Sequence, residues 1–370
     1  MNRRDALLMM LSSAAYARAS VSSAQTTSSL GDTESKLVAL KPSWSAWKST
    51  FLTSEGRVVD NYQEGASHSE SQGYGLYLAL RFGDIDAFKL IYTWTESNLA
   101  LRSDGLLAWR WKEADSPHVV DTNNASDGDI FYAWSLMRGS ERFNLPEAQE
   151  RARQIAKSLE ALCVDNSMGL PGLPVTTETL LLPGAEGFVR KEETIYNPSY
   201  WMPKFMMELG QVFSCPKLYS ALYAGLNRLD AIAKTGLCPD WIAFRSGAWE
   251  PPPTGFSPNA GYEAMRVPLY LCMSGMSGHP IVAQFRNAYR KAMEGPELSA
   301  PTVMSLAGDV IERSPHAGYA AIAGLVNCAV SPVDGPLIPL FTPNQPYYPA
   351  TLHMFALIAQ IEGYPACIPI

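Results

Sequence analysis

The sequence predicts an all-α domain of antiparallel helix hairpins. Apolar residues recur at three- and four-residue steps in roughly a dozen segments, and few segments alternate as strands do. Gly/Pro loops separate these segments, some short and some long, as hairpins of helices require. The chain has 370 residues with 47% hydrophobic and 18% charged side chains, enough to bury a large single core.

The segments follow one another in order. Residues 37–51 carry Leu37, Leu40, Trp44, Trp47 and Phe51 on one helical face. Residues 74–82 and 85–94 follow after a loop, then 129–137, 146–162, 199–213 and 217–233. The last are 261–273, 279–293, 318–326 and 351–361. No repeat of solenoid type interrupts this order. Two long connections, 99–126 and 164–196, carry Trp, Asp and Glu. Loops of that length inside a compact domain usually serve function.

Charge narrows the partner. The formal net charge is -7, and an acidic chain does not suit the nucleic-acid backbone. A neutral substrate fits better, and the 9 Trp, 17 Tyr and 13 Phe offer flat apolar faces. The start of the chain reads as an export signal. Arg3 and Arg4 precede a short apolar run, 6–15, and small residues follow at Ala15-Tyr16-Ala17 and Ser22-Ser23-Ala24. Arg3-Arg4-Asp5-Ala6-Leu7-Leu8 resembles a twin-arginine signal with Ala6 in place of Phe. A frayed start is the plainer alternative. The domain plan is therefore 1–24 as signal, 25–35 as linker and 36–370 as one catalytic domain, with no membrane span in the mature chain. Six cysteines allow 15 pairings and none has C-x-x-C spacing, so disulfides and buried thiols both stay open. No metal and no cofactor is expected.

Two acidic motifs stand out. Ser67-His68-Ser69-Glu70-Ser71-Gln72-Gly73-Tyr74-Gly75 sets a carboxylate ahead of an apolar helical run. Read plainly, Ser69 is an N-cap and Glu70 a first-turn acid. Ala125-Ser126-Asp127-Gly128-Asp129 has the same plain reading, with Ser126 or Asp127 as cap. A calcium loop would need further oxygen ligands and a closing Glu, which are missing.

Taken together these motifs resemble glycoside hydrolase family 8. The segment around Glu70 is similar to that family's Ser-Glu-Gly-Gln-Gly-Tyr-Gly-Met stretch, with Ser71 for Gly. Residues 125–143 resemble its signature, with Tyr132 for Ile or Met and Gly139 for Ala. Gly56-Arg57-Val58-Val59-Asp60, Asn197-Pro198-Ser199-Tyr200, Pro239-Asp240-Trp241 and Tyr262-Glu263-Ala264-Met265-Arg266 follow in family order. The resemblance implies an (α/α)6 barrel and inverting hydrolysis of β-1,4-glucan. It points to the branch that accompanies bacterial cellulose synthesis, with the synthase machinery as a functional partner and a periplasmic or extracellular site of action.

The resemblance also implies roles. Glu70 is the general acid. An acid catalyst must keep its proton, which a helix N-terminus opposes and a negative Asp127 and burial favour. Asp127 would distort the sugar and hold Glu70 protonated. Glu263 occupies the base position, where the family pattern Tyr-Asp-Ala-x-Arg has Asp. Asp127 and Asp240 are alternative bases, and an i,i+3 ion pair to Arg266 is the plain reading of Glu263. Tyr74, Tyr200, Asp240 and Arg266 are expected to contact substrate. Trp109, Trp111, Tyr196 and Trp241 are candidates to stack on glucose rings, each equally readable as core. Competing functions are a chitosanase or xylanase of the same family, a catalytically weakened glucan-binding protein, and a lyase. A lyase would need a Tyr/His pair that is not evident.

Overall fold

The computed structural model describes residues 37–164, 179–294, 299–331 and 337–367. The expected export signal and linker lie outside the described residues.

Among the described residues eleven α-helices alternate between two layers. Helices α1 (Lys41–Phe51), α3 (Ile85–Asn98), α5 (Pro146–Ser158), α7 (Pro216–Ala233) and α9 (Pro280–Ala292) each bury one face. That is the pattern of helices with one side in solvent. Between them come α2 (Ser69–Phe82), α4 (Ser126–Phe143), α6 (Pro203–Val212), α8 (Arg266–Met273), α10 (Ala317–Val330) and α11 (Tyr347–Gly363). Most of these are buried nearly all round. They form the inner ring: α2 packs on α4, α4 on α6, α6 on α8, α8 on α10 and α11, and α10 on α11. The molecule is an (α/α)6 barrel in which the stretch between α10 and α11 holds no helix among its described residues.

An aromatic axle fills the ring. Phe131 of α4 lies within 4.5–5.8 Å of Tyr74, Tyr77, Phe205, Tyr270 and Phe355, drawn from α2, α6, α8 and α11. Such offset and edge-on ring pairs add to the burial of apolar surface.

Every short strand falls in an outer-to-inner connection. Strand β1 (Ser67–His68) pairs with β2 (Arg110–Trp111), β3 (Glu193–Tyr196) with β4 (Ile242–Arg245), β4 with β5 (Ala248–Glu250), and β6 (Ala300–Met304) with β7 (Val310–Ser314), all antiparallel. The topology therefore gathers the seven strands found among the described residues, and the N-termini of the inner helices, at one end of the barrel. The long loops 99–126 and 164–196 end there too.

The helix starts differ from the expected caps. His68, not Ser69, is the N-cap of α2: its Nδ1 accepts the Ser71 N–H at 3.0 Å, and Ser71 Oγ accepts the His68 N–H at 3.0 Å. Ala125 holds the cap position of α4. Ser126 is diverted, because its hydroxyl donates to the Leu182 carbonyl at 2.7 Å. Cys328 and Cys367 form a disulfide, while Cys163, Cys215, Cys238 and Cys272 are buried thiols. Among the described residues no helix is long and apolar enough to cross a membrane.

Candidate active site

The inner-helix N-termini carry the acids. Glu70 and Asp127 stand in the first turns of α2 and α4. These turns touch because residue 128 is glycine: a Cβ there would lie 2.3 Å from Ser69 Oγ and 2.6 Å from the Glu70 nitrogen. Glu263 sits in the turn just ahead of α8, and Arg266 is the first residue of α8.

Arg266 is the hub. Its side chain is 1% exposed. Nη1 donates to Glu70 Oε2, to Asp127 Oδ2 at 3.2 Å and to the Tyr74 hydroxyl at 3.2 Å. Nη2 donates to Glu263 Oε2 and to Ser199 Oγ at 2.8 Å. Glu263 Oε2 also accepts from Asn197 Nδ2 at 2.8 Å. One guanidinium thus separates Glu70 on one nitrogen from Glu263 on the other. The Glu70 and Glu263 side chains keep 16% and 32% of their surface exposed, so both can meet a ligand.

Three carboxyls facing one cation cannot all ionise cheaply in a buried site. Burial is the main force raising Asp127, which Arg266 opposes and Glu70 and Glu263 reinforce, and its pKa reaches about 8. Glu263 is also raised, by burial first, against the pull of Arg266 and Asn197. Desolvation outweighs the pull of Arg266 on both groups, so Asp127 is not the fixed negative charge that the motif resemblance implied. The cluster of carboxyls around Arg266 therefore holds a proton near neutral pH.

His68 orders the first turn of α2 beside Glu70. Because Nδ1 accepts a hydrogen bond, Nε2 carries the proton and faces Asp60 Oδ2 at 3.4 Å. Burial works against its charged form, yet Asp60 and Glu70 raise its pKa overall. Asp129 ties down the cleft walls. It accepts from the Leu107 N–H and from Asn124 Nδ2, both at 2.9 Å, and Asn124 in turn accepts from the Ala185 N–H at 2.7 Å. Burial raises Asp129 to about 7.

The expected substrate contacts divide. Tyr74 has no exposed surface; it lies under Arg266, its hydroxyl 2.5 Å from that of Tyr270. Tyr196 is equally buried, packed on Trp201 and Trp249. Neither ring can stack on a sugar in this arrangement, because each is enclosed by core side chains. Tyr200 is 8% exposed and lies beneath Arg266, 5.6 Å from ring to guanidinium. Trp111 is half-buried between Trp94, His118 and Arg57. Trp109 is half-buried beside the acid, and its carbonyl accepts the Ser69 N–H at 2.9 Å. Trp241 is half-buried and stacks parallel to Phe188 at 6.0 Å, with Phe256 edge-on at 4.8 Å. Asp240 is 5% exposed, and its Oδ1 is taken up by backbone N–H groups of the turn ahead of α8. Tyr262, next to Glu263 and 41% exposed, was not singled out; its position in the same motif was the available signal.

Known proteins resemble this chain over most of its length. A family model described as "Glycosyl hydrolases family 8" matches residues 9–362. A probable endoglucanase of Novacetimonas hansenii is 31% identical over 331 residues, 88% of this chain and 92% of that protein. The structure of the endo-β-1,4-glucanase CMCax from Acetobacter xylinum superposes with a TM-score of 0.73 at 30% identity, covering 87% of this chain and 98% of that one. An endoglucanase structure from Komagataeibacter sucrofermentans gives 0.74 at 29% identity, covering 86% and 96%.

Proposed function

The chain belongs to glycosyl hydrolase family 8, and on that premise we propose that it is an endo-β-1,4-glucanase that cleaves cellulose-type glucan with inversion. The observation that carries this reading is the convergence of Glu70, Asp127 and Glu263 on Arg266 at the barrel end framed by the long loops.

Inversion needs a proton donor and a water-activating base on opposite faces of the sugar, about 6.5–9.5 Å apart. In our reading Glu70 gives its proton to the glycosidic oxygen as the C1–O bond breaks. Glu263 takes a proton from water, and the hydroxide oxygen bonds to C1 from the other face. The proton then returns from Glu263 to Glu70 through solvent. Asp127 keeps a proton within the cluster and braces the sugar at the cleavage point. Arg266 holds the two working carboxylates apart until the sugar and water enter between them. Trp109, Trp241 and Tyr262 are the aromatic faces open enough to stack on glucose rings.

The finer assignment is action beside a cellulose synthase, in the periplasm or outside the cell. It is supported by the motif resemblance to that branch. The Cys328–Cys367 disulfide fits an oxidising compartment, as does the basic and apolar start of the chain.

The test is reducing-sugar release by purified protein from carboxymethyl cellulose, chitosan and xylan. Release from carboxymethyl cellulose with a rapid fall in viscosity is expected. Preference for chitosan or xylan, or binding without release, would replace this reading with the family alternatives or with a glucan-binding protein.

A further inference from the structure

The carboxylate of Asp240 binds no side-chain cation: among the described residues it forms no salt bridge. Its Oδ1 instead accepts three backbone N–H groups, those of Gly261 at 2.9 Å, Glu263 at 3.0 Å and Ala264 at 2.8 Å. An oxygen so occupied has no direction left for a sugar hydroxyl. The same turn is closed by Met265 N–H donating to the Gly261 carbonyl at 3.1 Å. It is tied behind by the Ala260–Met304 pair of hydrogen bonds at 2.9 and 3.0 Å. Asp240 itself is fixed by its own N–H to the Asn259 carbonyl at 2.7 Å. The fit leaves no slack: a Cβ on residue 261 would come within 2.5 Å of Asp240 Oδ2.

We propose that Asp240 is a positioning residue for the water-activating step, clasping the 261–264 turn so that the Glu263 carboxylate stands at a fixed distance from the cleaved bond. This rests on Glu263 being the base. A Glu side chain has one more rotatable bond than the Asp of the family pattern, so its backbone must be held the more firmly for the carboxylate to reach one place. The clasp supplies that hold through three charge-assisted hydrogen bonds to the backbone of one turn, at residues 261, 263 and 264, while Asn197 and Arg266 fix the far end. Displacement of a reacting group by about 1 Å costs on the order of 10²-fold in rate.

The experiment measures kcat and KM for a soluble cello-oligosaccharide, and the pH dependence of kcat/KM, in four variants. E263A tests the base and is expected to be inactive; if it turns over near the wild-type rate, the base assignment fails and the clasp with it. With E263A inactive, D240A is expected to lose roughly 10²-fold in kcat while KM moves by less than about threefold. D240N keeps an acceptor oxygen, so kcat returns to within about threefold of wild type. The acidic limb of its profile moves to lower pH, because the Asp240 charge no longer disfavours ionisation of Glu263. Glu263 is also faced by Glu70, Asp127, Arg266, Tyr200 and Tyr348, which these variants leave in place. G261A pushes on the clasp without deleting it and reports if D240A does not fold; its kcat is expected to fall about 10-fold or more. Wild-type kcat in D240A or in G261A, a loss confined to KM, or a D240N variant as impaired as D240A would each overturn the proposal.

Discussion

Glu70 and Glu263 share one guanidinium yet are assigned opposite tasks, and substitutions separate them. Glu70→Gln keeps the shape and the contact with Arg266 but has no acid proton. Turnover on glucan is expected to fall about 10²–10⁴-fold with an unchanged circular dichroism spectrum; near wild-type turnover would reduce Glu70 to a first-turn acid. Glu263→Asp restores the residue of the family pattern and should retain measurable activity, whereas Glu263→Ala should not. If Glu263→Ala works and still inverts, Asp127 becomes the base to examine. Asp240 is the other alternative, with Oδ2 as its available oxygen because three backbone N–H groups occupy Oδ1.

At the scale of elements, the acids are brought together by the contact between the starts of α2 and α4. Gly128→Ala should drive Cβ into Ser69 Oγ and the Glu70 backbone. Overpacking of this kind costs about 1–3 kcal/mol. The expected result is a lower melting temperature together with a kcat loss larger than the loss of folded protein explains. A variant with full kcat would show that the Glu70–Asp127 spacing is not critical. This contact also marks how far the sequence could be read. Helices such as α7 and α9 were legible because apolar residues recur through their whole length. The first turn of α2 was not, because Ser69-Glu70-Ser71-Gln72 carries no apolar period; expected from residue 74, the helix starts at Ser69. The strands at the barrel end are two to five residues long, too short for alternation to show. The acids were found through motif resemblance. The Asp240 clasp and the Asp129 latch were not, since both join a side chain to backbone N–H groups about 20 residues away or more in sequence, and such partners leave no mark in residue identity.

The whole molecule should record its buried acids as a dependence of stability on pH. Asp127 and Asp129 have folded pKa values of about 8 and about 7, above the ordinary carboxyl value of 3.8. These two groups bind more protons in the native state than in the unfolded chain between pH 4 and pH 8, so their contribution to stability falls as pH rises through that window, while His353, pushed down to about 4 by burial, opposes it below pH 6.5. His68, also raised, acts in the same direction as Asp127 and Asp129. Asp60, Asp84 and Asp104 are lowered by their hydrogen-bond partners despite burial, so their contribution is lost only at more acid pH. Melting temperature should be highest in mildly acid buffer and decline toward pH 8.5, as the unfolding free energy falls by on the order of a few kcal/mol. Asp127→Asn should flatten the decline and stabilise the protein at pH 8 while lowering activity. A profile that rises from pH 5 to pH 8 would contradict the buried-proton account of the site.

Two carboxylates, one on each terminal nitrogen of Arg266, are proposed to act in a single displacement. Proton NMR of a β-1,4-linked cello-oligosaccharide, recorded from the first minutes after enzyme is added, tests it most directly. One displacement at C1 must release the new reducing end as the α-anomer, which then mutarotates slowly to the equilibrium mixture. Appearance of the β-anomer first would mean net retention through a covalent intermediate, and would contradict the assignment of Glu263 as a base acting on water.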